Sequence, residues 1–408
     1  INHAGDRLII ADADVLPLLE KLSGRIPTVE RIVIATEAGF EGWSTSLPDA
    51  VDYEAFIQGK PAHFEWPEIS ENSPLGLCYT SGTTGRPKGV EYEHRSQYLH
   101  TIAQCMTDSM GLSGADAVCG IVPMFHVMGW GIPWSALMLG CKQVLPHRFM
   151  DPARLVRLMA DEKVTLSAGV PTIWQGVKSA IEANPDAYDL SSLERLTCGG
   201  SAPPASLIRW YWDELGVEMI QGWGMTETSP LATLSRRVMK RGHLEMTLDQ
   251  QIDNVAKAGQ IIPGLELDIF DEEFNRVPHD GESVGEILVR GPWICSEYFN
   301  DPQPEKFHGD WLITGDVGKI DPEEYLIISD RSKDLVKSGG EWISSVDLEN
   351  HIVAMDGVVQ ACVVAHPHPR WDERPVALVI LESDADVEPD AILEHCATAF
   401  AKWQLPDD

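Results

Sequence analysis

Apolar residues along this chain fall into two rhythms. Short continuous runs closed by Gly, Pro or Asp occupy 8–11, 31–36, 75–80, 117–122, 165–168, 193–198 and 217–221, and each reads as a buried strand. Between them, apolar positions recur at helical spacing over 15–22, 95–112, 171–183 and a Pro-started stretch ending at 215. Strand and helix in alternation predict an α/β sheet. Asp151 followed by Pro152 predicts one more helix start, a capping carboxylate and then a residue whose missing N–H costs nothing in the first turn. Segment 45–73, rich in Pro, Glu and Asp, reads as a surface connection with one short helix near 53–58.

After Ser229 the rhythm changes to strands and turns, at 265–270, 285–290, 311–314 and 325–329, which predicts a small β-rich subdomain. A charge cluster at 330–334 reads as a linker, and beyond it a helix at 344–355, strands at 358–365 and 376–382, and a helix at 391–402 form a compact unit. Residues 118–141 carry no Asp, Glu, Lys or Arg and are long enough to span a bilayer. Pro123, Pro133, four glycines and His126 interrupt them, so a buried strand, a polar-tipped loop and a buried helix fit better than a membrane span.

Composition narrows the possibilities. With 408 residues the chain exceeds one core, and 31 basic against 63 acidic residues, a net charge of −32, argue against nucleic acid or an anionic membrane as partner. Eight scattered cysteines without a C-x-x-C pair read as thiols in a reducing compartment, hence the cytoplasm. The first residue is Ile1 and no signal segment follows, so a fragment is the expectation.

The most specific chemistry lies in Tyr79 to Val90, Y-T-S-G-T-T-G-R-P-K-G-V. A loop that wraps polyphosphate needs bare backbone N–H groups, hydroxyl donors and a cation, and Gly82, Gly85, Gly89, Ser81, Thr83, Thr84 and Lys88 supply them. The spacing is not that of a Walker loop, because Lys88 follows Pro87 and precedes Gly89. Three further loops follow predicted strands. His126 stands past the strand at 117–122, and Gly199-Gly200 past the strand at 193–198, where a flat ligand can approach backbone. Gly222-Trp223-Gly224-Met225-Thr226-Glu227 then offers an aromatic for a nucleobase and a carboxylate beside a hydroxyl for magnesium. Asp316, after a tight turn at Thr314-Gly315, suits a ribose diol.

The phosphate-loop stretch, and the order of the four loops, resemble the adenylate-forming superfamily, most closely its medium- and long-chain fatty acyl-CoA synthetases and their acyl-thioether relatives. The resemblance implies two doubly wound βα subdomains, a small β-rich subdomain and a mobile α+β C-terminal domain, divided as 1–330 and 331–408. It implies that Thr80, Ser81, Gly82, Thr83, Thr84 and Lys88 hold ATP. Gly199, Gly200 and Gln221, Gly222 and Trp223 resemble the adenine wall, Thr226 and Glu227 the phosphate and magnesium contacts (with Thr80 a second metal contact), and Asp316 with Arg331 the ribose clamp. His126, Val127 and Trp130 match the acyl tunnel mouth, Lys333 the hinge, and Lys337, Gly339, Gly340 and Trp342 the side facing adenylate and CoA. Trp223 departs from the family's usual Tyr, which keeps stacking and loses a phenol. The chain also stops before the family's adenylation lysine, so the resemblance predicts weak acyl-adenylate formation by these 408 residues alone.

The implied activity is fatty acid:CoA ligation with ATP, magnesium and CoA. The acid is adenylated with release of pyrophosphate, and the acyl group then passes to the CoA thiol after rotation of the C-terminal domain. Two alternatives stay open: a ligase for another acid (aryl, short-chain or methylthio), and a non-catalytic nucleotide-binding remnant. The partners implied are small molecules, with a homodimer left open.

Overall fold

The computed structural model describes residues 1–36, 42–80, 86–148, 150–331, 336–338, 341–381, 385 and 387–408, with backbone only for Arg331, Glu341, Trp342 and Val346. The chain forms two compact units, 1–70 and 71–408. In the first, strands Leu8–Asp12, Arg31–Ala35 and Ala50–Asp52 pair in parallel, and helix Leu16–Lys21 adds Leu16 and Leu19 to a small core with Ile32 and Ile34.

The second unit is built on a seven-stranded sheet. Its order is Gln260–Ile261, Leu231–Ser235, Glu218–Gly224, Arg195–Gly199, Leu166–Gly169, Ala117–Gly120 and Lys142–Val144. The last five are parallel; Leu231–Ser235 runs antiparallel to them, and Gln260–Ile261 pairs antiparallel with Leu231–Ser235. Alternation along each strand sends side chains to two covered faces. Leu196 and Cys198 pack with Leu155, Trp174 and Tyr211, from helices Pro152–Asp161, Pro171–Ala183 and Ala205–Leu215. Leu166, Ala168 and Ile220 face the other way, toward Ala103 and Ala136 of helices His94–Cys105 and Ile132–Leu139. Asp151 caps its helix as predicted, accepting from the Arg154 backbone N–H at 3.1 Å.

Several predicted bounds shift. The helix expected over 95–112 ends at Cys105, because Met106 takes an extended backbone. The strand expected to stop at 221 runs through Gly224, paired with a strand at Leu231–Ser235 that the sequence pattern did not reveal. Strand Trp311–Ile320 outruns its predicted end at 314 because the long hairpin partner Leu326–Arg331 continues its ladder. The last helix closes at Cys396, short of 402.

The C-terminal segment carries its own sheet, ordered Glu341–Ile343, Val336–Ser338, Asp372–Leu381, Val358–His368, with core residues Val336, Ile343, Leu348 and Ile352. Asp330 fastens its first helix, accepting at one oxygen from the Ser345 backbone N–H (2.8 Å) and hydroxyl (2.6 Å). No helix among the described residues is long and apolar enough to cross a membrane.

Candidate active site

Parallel strands deliver their following loops to one sheet edge, and a cavity of about 250 Å³ opens there. Thr80, His126, Gly199, Gly200, Trp223 and Glu227 all line it, from four separate strand-end segments. Val127, Trp130, Gly222 and Thr226 line it as well. Ten of the residues singled out in the sequence therefore share one cavity.

The phosphate-loop arms form a hairpin, Pro74–Thr80 against Lys88–Glu93, with Thr80 directly opposite Lys88 where the chain enters and leaves the loop. Ser81, Gly82, Thr83 and Thr84, between the arms, lie outside the described residues. Lys88 is buried; its Nζ donates to Gln303 Oε1 and lies 5.1 Å from the centre of the Tyr298 ring. Tyr298 in turn donates from its hydroxyl to Glu227 Oε1 at 2.7 Å. The Tyr92 hydroxyl donates to the Thr226 carbonyl at 2.8 Å, and the Cys295 backbone N–H to the Glu227 carbonyl at 2.8 Å. The short turn Thr226–Thr228 is thus held from the phosphate hairpin on one side and from the 295–298 segment on the other. Burial first, and then the Glu227 charge, push the Tyr298 phenol well above its ordinary pKa, so it remains a donor at any working pH.

Glu227 is 5% exposed, with Oε1 held by Tyr298. Among the described residues no group of three or more His, Cys, Asp or Glu is positioned to enclose a metal. The oxygen donors of Glu227, Thr226 and Thr80 around one cavity nevertheless fit magnesium, which keeps several waters and is ordinarily shared between one or two carboxylates and substrate phosphates.

Trp223 donates from its indole Nε1 to Asp316 Oδ2 at 2.9 Å, so the residue that departs from the usual Tyr is tied to the predicted ribose acid. Arg331 stands opposite Asp316 in the strand register. Gln221 differs from its predicted place. It is not among the cavity-lining residues, and its amide nitrogen is positioned to donate to the carbonyls of Val255, Ala256 and Lys257 at 2.8, 3.0 and 3.2 Å, holding a helix end instead of facing the cavity. Lys337 pairs through Nζ with Glu272 Oε1 at 3.0 Å and does not line the cavity. Lys333, Gly339 and Gly340 lie outside the described residues, as does the Trp342 side chain.

Residues 127–131 all have positive φ, from 47° at Val127 to 73° at Gly131, a left-handed turn that costs about 1–2 kcal/mol for each residue bearing a Cβ. Two features hold it. Gln104 Nε2 donates to the Trp130 carbonyl at 2.7 Å, and the bare Cα of Gly199 accepts the Trp130 ring, since a Cβ there would meet ring carbon Cη2 at 3.0 Å. The sequence reading missed Gln104, Thr197, Tyr298 and Gln303. Their signals were present but weak: Gln97, His100, Thr101 and Gln104 put polar groups at helical spacing on a face that turns out buried.

The sequence profile of the AMP-binding enzyme matches residues 1–299, and that of the AMP-binding enzyme C-terminal domain matches 347–408. The chain belongs to the AMP-binding enzyme family. Within the family it is 40% identical to a medium-chain-fatty-acid–CoA ligase of Ectopseudomonas oleovorans, over all of this chain and 74% of that one. It is 41% identical to a long-chain-fatty-acid–CoA ligase of Thermus thermophilus, over all of this chain and 73% of that one. A 3-methylmercaptopropionyl-CoA ligase of Ruegeria lacuscaerulensis is likewise 41% identical, over all of this chain and 75% of its own length. Among solved structures, ATP-bound MatB from Rhodopseudomonas palustris superimposes with a TM-score of 0.81 at 24% identity, covering all of this chain and 75% of that one, which establishes the fold. The predicted α/β class and family are both borne out.

Proposed function

We propose that this AMP-binding enzyme is a carboxylic acid:CoA ligase of the fatty-acid group, acting on a medium- or long-chain acid with ATP and CoA. The carrying observation is the single cavity in which Thr80, Gly199-Gly200, Trp223, Thr226-Glu227 and His126 converge. The 40–41% identity to fatty-acid ligases supports the acid class, and equal identity to a methylthio-acid ligase keeps that acid as the second reading.

In this reading the adenine lies between Trp223 and the Gly199-Gly200 backbone, and Asp316 with Arg331 takes the ribose. Thr80, Lys88 and the 81–84 loop take the phosphates. Glu227, with Thr80 and Thr226, would hold magnesium, which supplies charge neutralisation at the phosphates. An oxygen of the acid attacks the α-phosphorus, the bond to pyrophosphate breaks, and Lys88 offsets the charge that leaves. The CoA sulfur then attacks the acyl carbon and AMP departs. Residues 331–408 form the domain that turns between the two steps about Lys333, bringing Lys337, Gly339, Gly340 and Trp342 to the acyl group. The turn would break the Lys337–Glu272 pair, a half-exposed contact worth at most about 1 kcal/mol. Eight cysteines, none in a disulfide, support a cytoplasmic setting.

Acid-dependent exchange of pyrophosphate into ATP tests the reading. Glu227→Gln should lower it by roughly two to three orders of magnitude while leaving the fold intact. Wild-type exchange in that variant would reduce Glu227 to an acid at a turn.

A further inference from the structure

On the sheet face that looks into the cavity, strand Arg195–Gly199 presents Thr197 one pleat below Gly199. Its cross-strand neighbours on that face are Ala168 and Ile220, both apolar. Thr197 is 1% exposed, and its hydroxyl has no hydrogen-bond partner. Other buried hydroxyls of the same sheet are satisfied: Ser167 donates to the Cys119 carbonyl at 2.9 Å, Thr233 to Ala258 at 2.7 Å and Ser235 to Asn254 at 2.7 Å. A buried hydroxyl left without a partner is a cost that a valine of the same shape would avoid.

Gln104, fully buried, lines the same cavity. Its amide is oriented by two bonds, Nε2 donating to the Trp130 carbonyl and Oε1 accepting from the Ser135 hydroxyl at 2.6 Å. One N–H and one lone pair of that amide remain for something else. The stripe continues along the helix, where His100 keeps Nδ1 unpartnered and Gln97 both amide atoms. For a cavity meant only for alkyl chain, Thr197 and Gln104 are the wrong lining.

Resting on the acid-activation reading above, we infer that the acid carries a hydroxyl or ketone oxygen about five bonds from its carboxyl carbon, received by Thr197 and Gln104. The distance follows from the strand. The carboxyl must meet the nucleotide at the strand end, level with Gly199, and Thr197 lies two residues deeper, about 6.6 Å at 3.3 Å per residue. Extended carbon chains advance about 1.3 Å per bond, which gives the fifth bond.

The test compares isosteres by calorimetric titration of the protein saturated with a non-hydrolysable ATP analogue. 5-Hydroxyhexanoate should bind about tenfold tighter than 5-methylhexanoate, the value of one hydrogen bond to a buried partner. It should also bind tighter than 3-hydroxyhexanoate, whose oxygen stops short of Thr197. Thr197→Val should erase the preference and Thr197→Ser keep it, with ATP-analogue affinity unchanged in both. Equal or tighter binding of 5-methylhexanoate by the wild-type protein overturns the inference without any variant, and so does an undiminished preference in Thr197→Val. Binding of nucleotide with no acid bound at all, hydroxylated or not, would instead defeat the acid-activation reading and take this inference with it.

Discussion

Replacing Tyr298 by Phe removes one oxygen and leaves everything else in place. The ring remains under Lys88 at 5.1 Å, and the side chain, 4% exposed, keeps its packing. What disappears is the 2.7 Å bond to Glu227 Oε1. A buried carboxylate oxygen that loses a donor forfeits about 1–3 kcal/mol, and taking about 2 kcal/mol for a charged acceptor gives roughly a 30-fold effect. In the proposed mechanism that loss falls on adenylation, because the carboxylate that meets the phosphates is no longer oriented. Pyrophosphate exchange should therefore fall about 30-fold, and the magnesium concentration for half-maximal exchange should rise. Transfer from supplied acyl-AMP to CoA should change little. The phenol is held neutral by burial and by Glu227, which raise its pKa well above the ordinary value, so the deficit should not depend on pH between about 6 and 9. Exchange within twofold of wild type, at an unchanged magnesium requirement, would refute the argument that Tyr298 positions Glu227.

Other outcomes follow from the same geometry. Trp130→Ala removes the ring packed on Gly199 and should broaden the chain-length profile of accepted acids more than it weakens ATP binding, and an unchanged profile removes Trp130 from the tunnel mouth. His100 is fully buried and its pKa is lowered to about 3 by that burial, with Nε2 accepting from the Leu231 N–H at 3.2 Å. The unfolded chain takes up a proton near pH 6.5 that the folded chain refuses until about pH 3, so His100 costs stability as pH falls through that window, up to about 1.4 kcal/mol per unit. Denaturant titrations should therefore show a shallower loss between pH 6.5 and 4 for His100→Gln than for the wild-type protein, and identical slopes would contradict the burial argument.

Much of the fold was legible because its strands are short apolar runs and its helices start on Asp or Pro. Leu193 to Cys198 and Val217 to Gln221 announced themselves this way, and with them the loops that carry Gly200 and Glu227. Strand Leu231–Ser235 did not, since L-A-T-L-S begins immediately after Pro230 and mixes hydroxyls into a strand whose polar groups find carbonyl partners only in the folded sheet. Gln221 was misplaced for a related reason: a strand end says which residues reach the edge, and alternation then decides which of them face the cavity. Trp223 could be marked for a nucleobase from its glycine neighbours, yet its bond to Asp316 joins residues 93 positions apart and has no local signature. Tyr298 and Gln303 were invisible for the same reason, being ordinary residues in a β-rich stretch until folding brings them against Lys88 and Glu227.

Acid, ATP and CoA are expected to meet in this cavity and leave as thioester, AMP and pyrophosphate. Phosphorus NMR of the protein with ATP, magnesium and CoA, across acids from acetate to palmitate with thioester measured in parallel, tests this most directly. AMP and pyrophosphate should appear together, one of each per thioester, only when an acid is present and with the highest rate among fatty acids. Release of ADP and phosphate, or ATP left unchanged beside every acid while it binds the protein, would contradict it.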